Sequence, residues 1–172
     1  MDFKKWNILL HTCFTICITV LIMQSIEQQS QINKFYKEFD NINKLSIEES
    51  YMGYIEQFIA DDFEAIASYF SPPVSFNGNI AETKEDVINH YKNMKANIQD
   101  GYAYSVVDKI KVYSPKGDDS YLLCSEFTRY NSNDEIIFEG AANYIYEQPI
   151  SSFKMKSLEM AYYGCPDTRL PQ

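Results

Sequence analysis

The sequence is poor in the residues that build metal centres and phosphate-binding loops. It has two histidines, four cysteines and six glycines, and no two cysteines have the CxxC spacing. Zinc sites need closely spaced Cys and His ligands, and phosphate loops need clustered glycines. The sequence also shows no nucleophile triad and no cluster of carboxylates with metal-ligand spacing. It therefore predicts no metal site and no cofactor.

Positive charge is scarce as well. The chain has 15 Lys and Arg against 24 Asp and Glu, which gives a formal net charge of −9 and a pI near 4.7. An acidic surface repels phosphate backbones, so nucleic acid is excluded as an expected partner. Adsorption of the folded domain on anionic lipid is disfavoured for the same reason.

Apolar and aromatic residues are abundant. Hydrophobic residues make up 45% of the chain, with 14 Tyr and 11 Phe. This composition is typical of a folded domain with a core and not of a disordered chain.

The chain begins with an apolar segment, residues 6–23, that follows Lys4 and Lys5. Its length is near the lower limit of about 17 residues for a membrane-spanning helix. We therefore expect a single-pass membrane anchor over residues 1–24, with the N-terminus in the cytoplasm and the domain on the periplasmic or extracellular side. A cleaved signal peptide and a buried soluble helix are the alternatives.

Residues 25–46 are polar but carry an apolar stripe. Ile32, Phe35, Phe39 and Ile42 recur at three- and four-residue spacing, which predicts a helical stalk that leans on the domain or on a second copy. A flexible linker is the alternative. A short tail is expected over residues 164–172.

Three helices and a short strand are predicted next. Ser46 with Glu49 has the capping-box pattern, so the first helix should begin near Ile47. The pair Asp61-Asp62 should form a hinge, with Asp61 capping a second helix that ends at Pro72-Pro73. A strand over 74–76 and a third helix, from Thr83 to Asp100-Gly101, should follow.

After Gly101 the hydrophobic pattern changes from helical to alternating. Four long strands joined by hairpin-length turns are predicted over residues 102–113, 120–130, 135–147 and 152–163. The predicted fold class is α+β, with three N-terminal helices packed on one face of a curved, mainly antiparallel sheet.

This order resembles the nuclear-transport-factor-2-like superfamily, in particular its SnoaL-like branch. Residues 54–70 (YIEQFIADDFEAIASYF) look like the opening helix pair, residues 71–76 like the exit into the first strand, and residues 85–91 like the third helix. The resemblance covers roughly residues 47–163. It implies a cone-shaped fold with a ligand pocket and a homodimer formed through the outer sheet face. The superfamily holds isomerases, cyclases, dehydratases and proteins without chemistry, so the fold does not fix the function.

Asp108 is the first candidate catalytic residue. It shares strand parity with Tyr104, Val106 and Ile110, and a carboxylate that faces a pocket can act as a general base. The alternatives are a bulge that turns Asp108 outward and an ion pair with a basic neighbour. Arg129, which shares parity with inward residues of the next strand, is either that neighbour or a surface residue.

His90 is the second candidate general base, because imidazole titrates near neutrality. A half-buried position on the helix surface, without chemistry, is the alternative. Five aromatic residues are predicted to line a ligand pocket: Tyr54, Phe58, Tyr104, Phe127 and Tyr144.

The function expected from these observations is a membrane-anchored domain that binds a small hydrophobic ligand or a protein. One alternative is an isomerase, cyclase or dehydratase that uses Asp108 or His90 on a hydrophobic carbonyl compound. The other is an envelope assembly subunit. For Cys124 and Cys165, both a disulfide and two separate thiols are open.

Overall fold

The computed structural model describes residues 3–114, 120–147, 152–161 and 164–166, with side chains from residue 14 onward. The chain divides into two compact units, Met1–Ile42 and Asn43–Gln172. Most of the first predicted turn, residues 115–119, and the predicted end of the last strand, residues 162–163, lie outside the described residues.

A single helix, α1 (Phe3–Ile59), covers the first third of the chain. The capping pattern at Ser46 does not begin a helix, because the residues before it are already helical. In the second unit, one face of α1 is buried in the core through Ile47, Tyr51, Tyr54 and Phe58. Their spacing of three and four residues follows the helical period. In the first unit, the large apolar side chains from Phe14 to Ile42 are exposed.

The predicted membrane anchor is corrected by this structure. Within the described residues, no helix offers an apolar run that would let it traverse a lipid bilayer. The prediction of a transmembrane helix is therefore wrong. The single-pass membrane localisation was based on that helix and is wrong for the same reason.

The two aspartates after α1 have different roles from those predicted. Asp61 ends the helix in a left-handed conformation with φ of 58°. Asp62, not Asp61, is the N-cap of α2 (Phe63–Ala67), where its carboxylate accepts a hydrogen bond from the Ala65 N–H at 3.0 Å. Asp61 instead forms an ion pair of 2.7 Å with Lys95.

Two short strands and a helix follow. Strand β1 (Phe70–Phe76) forms an antiparallel hairpin with β2 (Asn79–Ala81). Helix α3 (Lys84–Ala96) begins at the predicted capping box, in which Thr83 and Asp86 satisfy each other's backbone N–H groups. Its inner face is buried through Val87, Ile88 and Tyr91.

Four longer strands complete a six-stranded mixed sheet. They are β3 (Tyr102–Tyr113), β4 (Tyr121–Asn131), β5 (Ile136–Glu147) and β6 (Lys154–Met160). The order across the sheet is β2-β1-β6-β5-β4-β3, and only the β1–β6 pair is parallel. The predicted α+β fold, with helices on a mainly antiparallel sheet, is confirmed in this unit.

A β-bulge in β3 reverses the parity of that strand. The register with β4 shifts between Val107 and Lys109, so Asp108 is the extra residue. Before the bulge, Ser105 and Val107 face the helices, and after it Ile110 and Val112 do. The parity argument that placed Tyr104, Val106 and Asp108 on the inner face is therefore wrong.

Cys124 and Cys165 form a disulfide that ties the chain after β6 to β4. Both cysteines are buried, and with Tyr113 they make a small second core separate from the main one. Cys17 is exposed and free.

Candidate functional site

A cavity of about 50 Å³ lies between the helices and the inner face of the sheet in the second unit. By the usual measure of about 10–15 Å³ per water-sized sphere, it has room for roughly three to five small atoms or waters. The lining residues come from α1, α3 and strands β3 to β6. They are Tyr51, Tyr54, Ile55, Phe58, Met94, Ser105, Val107, Phe127, Arg129, Ala142, Tyr144, Leu158 and Met160.

Buried tyrosines form one wall of this cavity. The Tyr91 hydroxyl donates to the Tyr54 hydroxyl at 3.0 Å, and the Tyr54 ring packs edge-on against Tyr144. Burial raises the pKa of Tyr54, Tyr91 and Tyr144 well above the usual tyrosine value. These hydroxyls therefore stay protonated near neutral pH, and they can donate hydrogen bonds but cannot act as bases.

Tyr51 lines the same cavity. Its hydroxyl is buried and has no hydrogen-bond partner among the described residues. Burial raises the pKa of Tyr51, and the Ser125 and Tyr144 side chains oppose this effect only in part. The hydroxyl therefore remains a donor. A buried donor without an acceptor is costly, and a ligand oxygen would satisfy it.

Arg129 provides the positive charge in the lining. Its Nη1 donates to Gln99 Oε1 at 2.6 Å, while its Nε is buried without a partner among the described residues. The guanidinium packs on the rings of Phe127 and Phe138, each with its centroid 5.2 Å away. No carboxylate in the described part of the chain lies within ion-pair distance of it. Burial lowers the pKa of Arg129 from its ordinary value, but arginine remains charged in proteins.

Two methionines form the adaptable part of the lining. Met94 is half-buried on α3, and Met160 at the end of β6 is 38% exposed. Methionine side chains are unbranched and rearrange readily, so they are suited to accommodate a ligand body larger than the cavity itself.

Four of the five aromatic residues predicted to line a pocket are brought together here: Tyr54, Phe58, Phe127 and Tyr144. Tyr104 is not among them. Because it precedes the bulge, it lies on the outer face of β3, where its ring stacks on Tyr130 and its hydroxyl donates to Asp134 at 2.8 Å. Whether these residues bind a ligand stays a prediction.

Asp108 lies on the outer face of the sheet, away from the cavity. It accepts a hydrogen bond of 2.7 Å from the Thr128 hydroxyl and is exposed. There it lines a wide surface depression together with Glu126 and Glu139. The bulge thus corresponds to the alternative in which Asp108 turns outward, and Asp108 forms no ion pair with Arg129.

His90 also lies outside the cavity lining. Its ring stacks on Phe76 at a centroid distance of 3.9 Å, and burial lowers its pKa. No other titratable side chain of the described residues hydrogen-bonds to it, so it lacks the partner that would orient a general base. The catalytic roles assigned to Asp108 and His90 stay predictions that this geometry does not favour.

Sequence reasoning missed several lining residues, above all Arg129, and it considered Tyr51 only as one of several tyrosines that could donate a hydrogen bond to a ligand. A signal for Arg129 was available, because it has the parity of Leu123 and Phe127, which are both buried. Its charge made a surface position the more natural interpretation. Met160 could not be assigned from the sequence, because the position depends on the register between β5 and β6.

Comparisons with known proteins identify the fold. No model of a protein family matches this sequence, and no curated protein matches it significantly. Solved structures do match. Aln2 from a Streptomyces species is 15% identical over 67% of this chain and 87% of its own, with a TM-score of 0.54. ActVI-ORFA from Streptomyces coelicolor is 12% identical over 67% of this chain and 94% of its own, with a TM-score of 0.55.

A protein of unknown function from Nostoc punctiforme, described as having a cystatin-like fold, is 14% identical over 72% of this chain and 92% of its own, with a TM-score of 0.57. The predicted likeness to nuclear-transport-factor-2-like proteins, with their SnoaL-like members, is confirmed at the level of the fold. At these identities the likeness carries no information about activity.

Proposed function

We propose that the second unit is a small-ligand-binding domain and not a catalyst. The observation that carries this proposal is the composition of the cavity lining, which combines aromatic side chains, two adaptable methionines and hydrogen-bond donors that no described residue pairs with. Ligand sites are typically concave, mostly apolar and equipped with a few converging polar groups. The ligand class that fits is a small molecule with an aromatic or aliphatic body and one polar end.

The chemistry of the lining argues against the enzyme alternative. Among the described residues around the cavity there is no carboxylate and no imidazole. Proton abstraction next to a carbonyl needs a base within hydrogen-bond reach of the substrate. The tyrosines cannot take this role, because burial raises the pKa of each of them.

The proposal is tested by filling the cavity. Val107 lines it, whereas the neighbouring Val106 is 41% exposed on the opposite face of β3. Val107→Phe should therefore abolish binding of a neutral probe, phenylacetamide, and Val106→Phe should leave it unchanged. Binding is followed by NMR titration of protein labelled with ¹³C at the methionine methyls, where Met94 and Met160 report on the cavity.

Met23, which is 66% exposed in the first unit, gives the reference signal. Buried Met155 shows whether each variant is folded. Binding that both variants retain, or both lose while folded, would contradict the proposed location of the site.

The homodimer and the assembly-subunit alternative stay predictions. The exposed apolar side chains of Ile32, Phe35, Phe39 and Ile42 on α1 are the feature that would serve a protein partner. Sedimentation equilibrium of the full chain over a range of concentrations measures whether it self-associates.

A further inference from the structure

The cavity lining carries an arginine whose charge is not balanced by the protein residues described. A buried or half-buried charge is normally paired, because its removal from water is costly. Within the described ranges, Arg129 has a single hydrogen bond, to the neutral amide of Gln99, and a buried Nε with no acceptor. Its aromatic neighbours compensate only part of the lost hydration, since the attraction between a cation and an aromatic ring is weak.

A second residue of the lining, Tyr51, also carries a hydrogen-bond donor. Its hydroxyl is buried and is unpaired within the described residues, and Tyr51 lies on α1 whereas Arg129 lies on β4. Two unsatisfied donors, one of them cationic, favour an oxygen ligand with negative charge over a neutral one.

The size of the cavity limits what can enter it. A volume of about 50 Å³ holds only a few heavy atoms, so a whole aromatic ligand does not fit without rearrangement. A carboxylate, with one carbon and two oxygens, does. The remainder of such a ligand would lie towards Met94 and Met160, the most adaptable side chains of the lining.

We propose that this cavity is a carboxylate-binding site, in which Arg129 and the Tyr51 hydroxyl hold the head group of a small monocarboxylic acid with an apolar body. This inference rests on the proposed function and specifies its ligand class. The guanidinium is planar and carries five N–H donors, so it can bind a carboxylate through two parallel hydrogen bonds.

The test compares two ligands of nearly identical shape, phenylacetate and phenylacetamide, on the full chain by the methionine-methyl NMR titration. The unaltered protein should bind phenylacetate at least tenfold more tightly than phenylacetamide. Arg129→Gln should weaken phenylacetate binding roughly 10- to 100-fold, the range for hydrogen bonds to a charged group, and change phenylacetamide binding by less than about twofold. Arg129→Lys, which keeps the charge without the planar fork, should be intermediate.

Lys92→Gln is the matched control. Lys92 is exposed on α3 and does not line the cavity, and its loss changes the net charge by the same amount. It should leave the affinity for both ligands unchanged. An equal loss of phenylacetate affinity in Lys92→Gln and Arg129→Gln would mean that only the overall charge acts, and it would overturn the proposal.

The outcomes separate the pocket from the carboxylate site. Equal affinity for the two ligands in the unaltered protein, with binding that Val107→Phe removes, leaves the pocket in place and refutes the carboxylate site. If neither ligand shifts the Met94 or Met160 signal, both the pocket and the carboxylate site are refuted. The carboxylate site can be tested even if Arg129→Gln does not fold. The comparison of the two ligands is then made on the unaltered protein and on Arg129→Lys.

Discussion

At the residue scale, the tyrosine hydroxyls show how the core tolerates polar groups. Tyr54 and Tyr91 are both buried, and the Tyr91 hydroxyl donates to the Tyr54 hydroxyl across the space between α1 and α3. A hydrogen bond of this kind contributes about 1 kcal/mol to stability, while a buried hydroxyl without a partner costs about 1–3 kcal/mol. The hydrogen bond therefore contributes to stability mainly because, without it, two buried hydroxyl groups would lack a partner.

This pair leads to a first prediction. Tyr91→Phe should lower the free energy of unfolding by about 1 kcal/mol, because the Tyr54 hydroxyl loses its donor. The double variant Tyr54→Phe/Tyr91→Phe should cost less than the sum of the two single variants, since it leaves no hydroxyl behind. Urea denaturation measures all three. Tyr36→Phe, at a side chain that is 66% exposed, should have no effect, and strict additivity of the pair would contradict the coupling.

His90 gives a prediction about pH. Burial lowers its pKa below the ordinary value of 6.5, so on acidification the unfolded chain takes up the proton first. The neutral ring therefore contributes stability that is fully present above pH 6.5. This contribution is lost as the pH falls from 6.5 through the lowered pKa of the folded state.

The measurement is the urea midpoint at pH 7.5 and pH 5.5. The unaltered protein should lose more stability between these values than His90→Gln, which has no titrating group at this position. Asp86 and Glu126 have pKa values lowered from ordinary carboxyl values, so they titrate below this window. Identical pH dependence of the two proteins would show that the ring of His90 is not buried as described.

At the element scale, the turn between α1 and α2 depends on two adjacent aspartates with separate roles. Asp62 caps α2, and Asp61 takes the left-handed conformation and pairs with Lys95. Asp62→Ala should cost about 1 kcal/mol, the typical value for loss of an N-cap. Asp61→Asn should cost less, because asparagine tolerates the left-handed conformation and only a partly exposed ion pair is lost. Thermal denaturation compares the two, and a larger loss in Asp61→Asn would contradict these assignments.

Helices and strands that depend on local sequence patterns were predictable. The face of the sheet on which each strand residue lies was not. Helix α3 was predictable because Thr83 and Asp86 form a capping box that involves only neighbouring residues. The long strands were predictable from their alternating pattern. The bulge at Asp108 was not, since one extra residue reverses the parity of a strand without changing its composition. Because of that extra residue, Tyr104 and Asp108 lie on the outer face of the sheet, although both were predicted to be site residues on the inner face.

Other features depended on contacts between distant segments. The capping pattern at Ser46 is a local signal that is overridden where α1 continues through it. The parallel pairing of β1 with β6 joins segments about 80 residues apart, and no local pattern specifies it. The full lining of the cavity was not predictable for the same reason, because it comes from strands whose mutual register the sequence does not reveal.

At the scale of the whole molecule, the Cys124–Cys165 disulfide closes a loop with a sequence separation of 41. A cross-link of this length stabilises a protein by about 2–4 kcal/mol, mostly by restricting the unfolded chain. The double variant Cys124→Ala/Cys165→Ala should therefore unfold at a clearly lower urea concentration, and reductant should affect only the unaltered protein. Cys17→Ser, at an exposed free cysteine, is the control and should change nothing. A midpoint unaffected by reductant would contradict the presence of the bond.

The fold itself is shared with proteins of different description and origin at identities of 15% or less. In this chain the cavity is lined by tyrosines, two methionines and Arg129, and its described lining residues include no carboxylate and no imidazole. The proposed function therefore requires that a ligand bind inside this cavity.

The most direct measurement is the set of intermolecular NOEs between bound phenylacetate and the protein methyl groups. A ligand in the cavity should give NOEs from its ring to Met94, Leu158 and Met160, which surround that cavity. NOEs to Ile136 on the outer face of the sheet, with none to the three cavity residues, would contradict the proposed site.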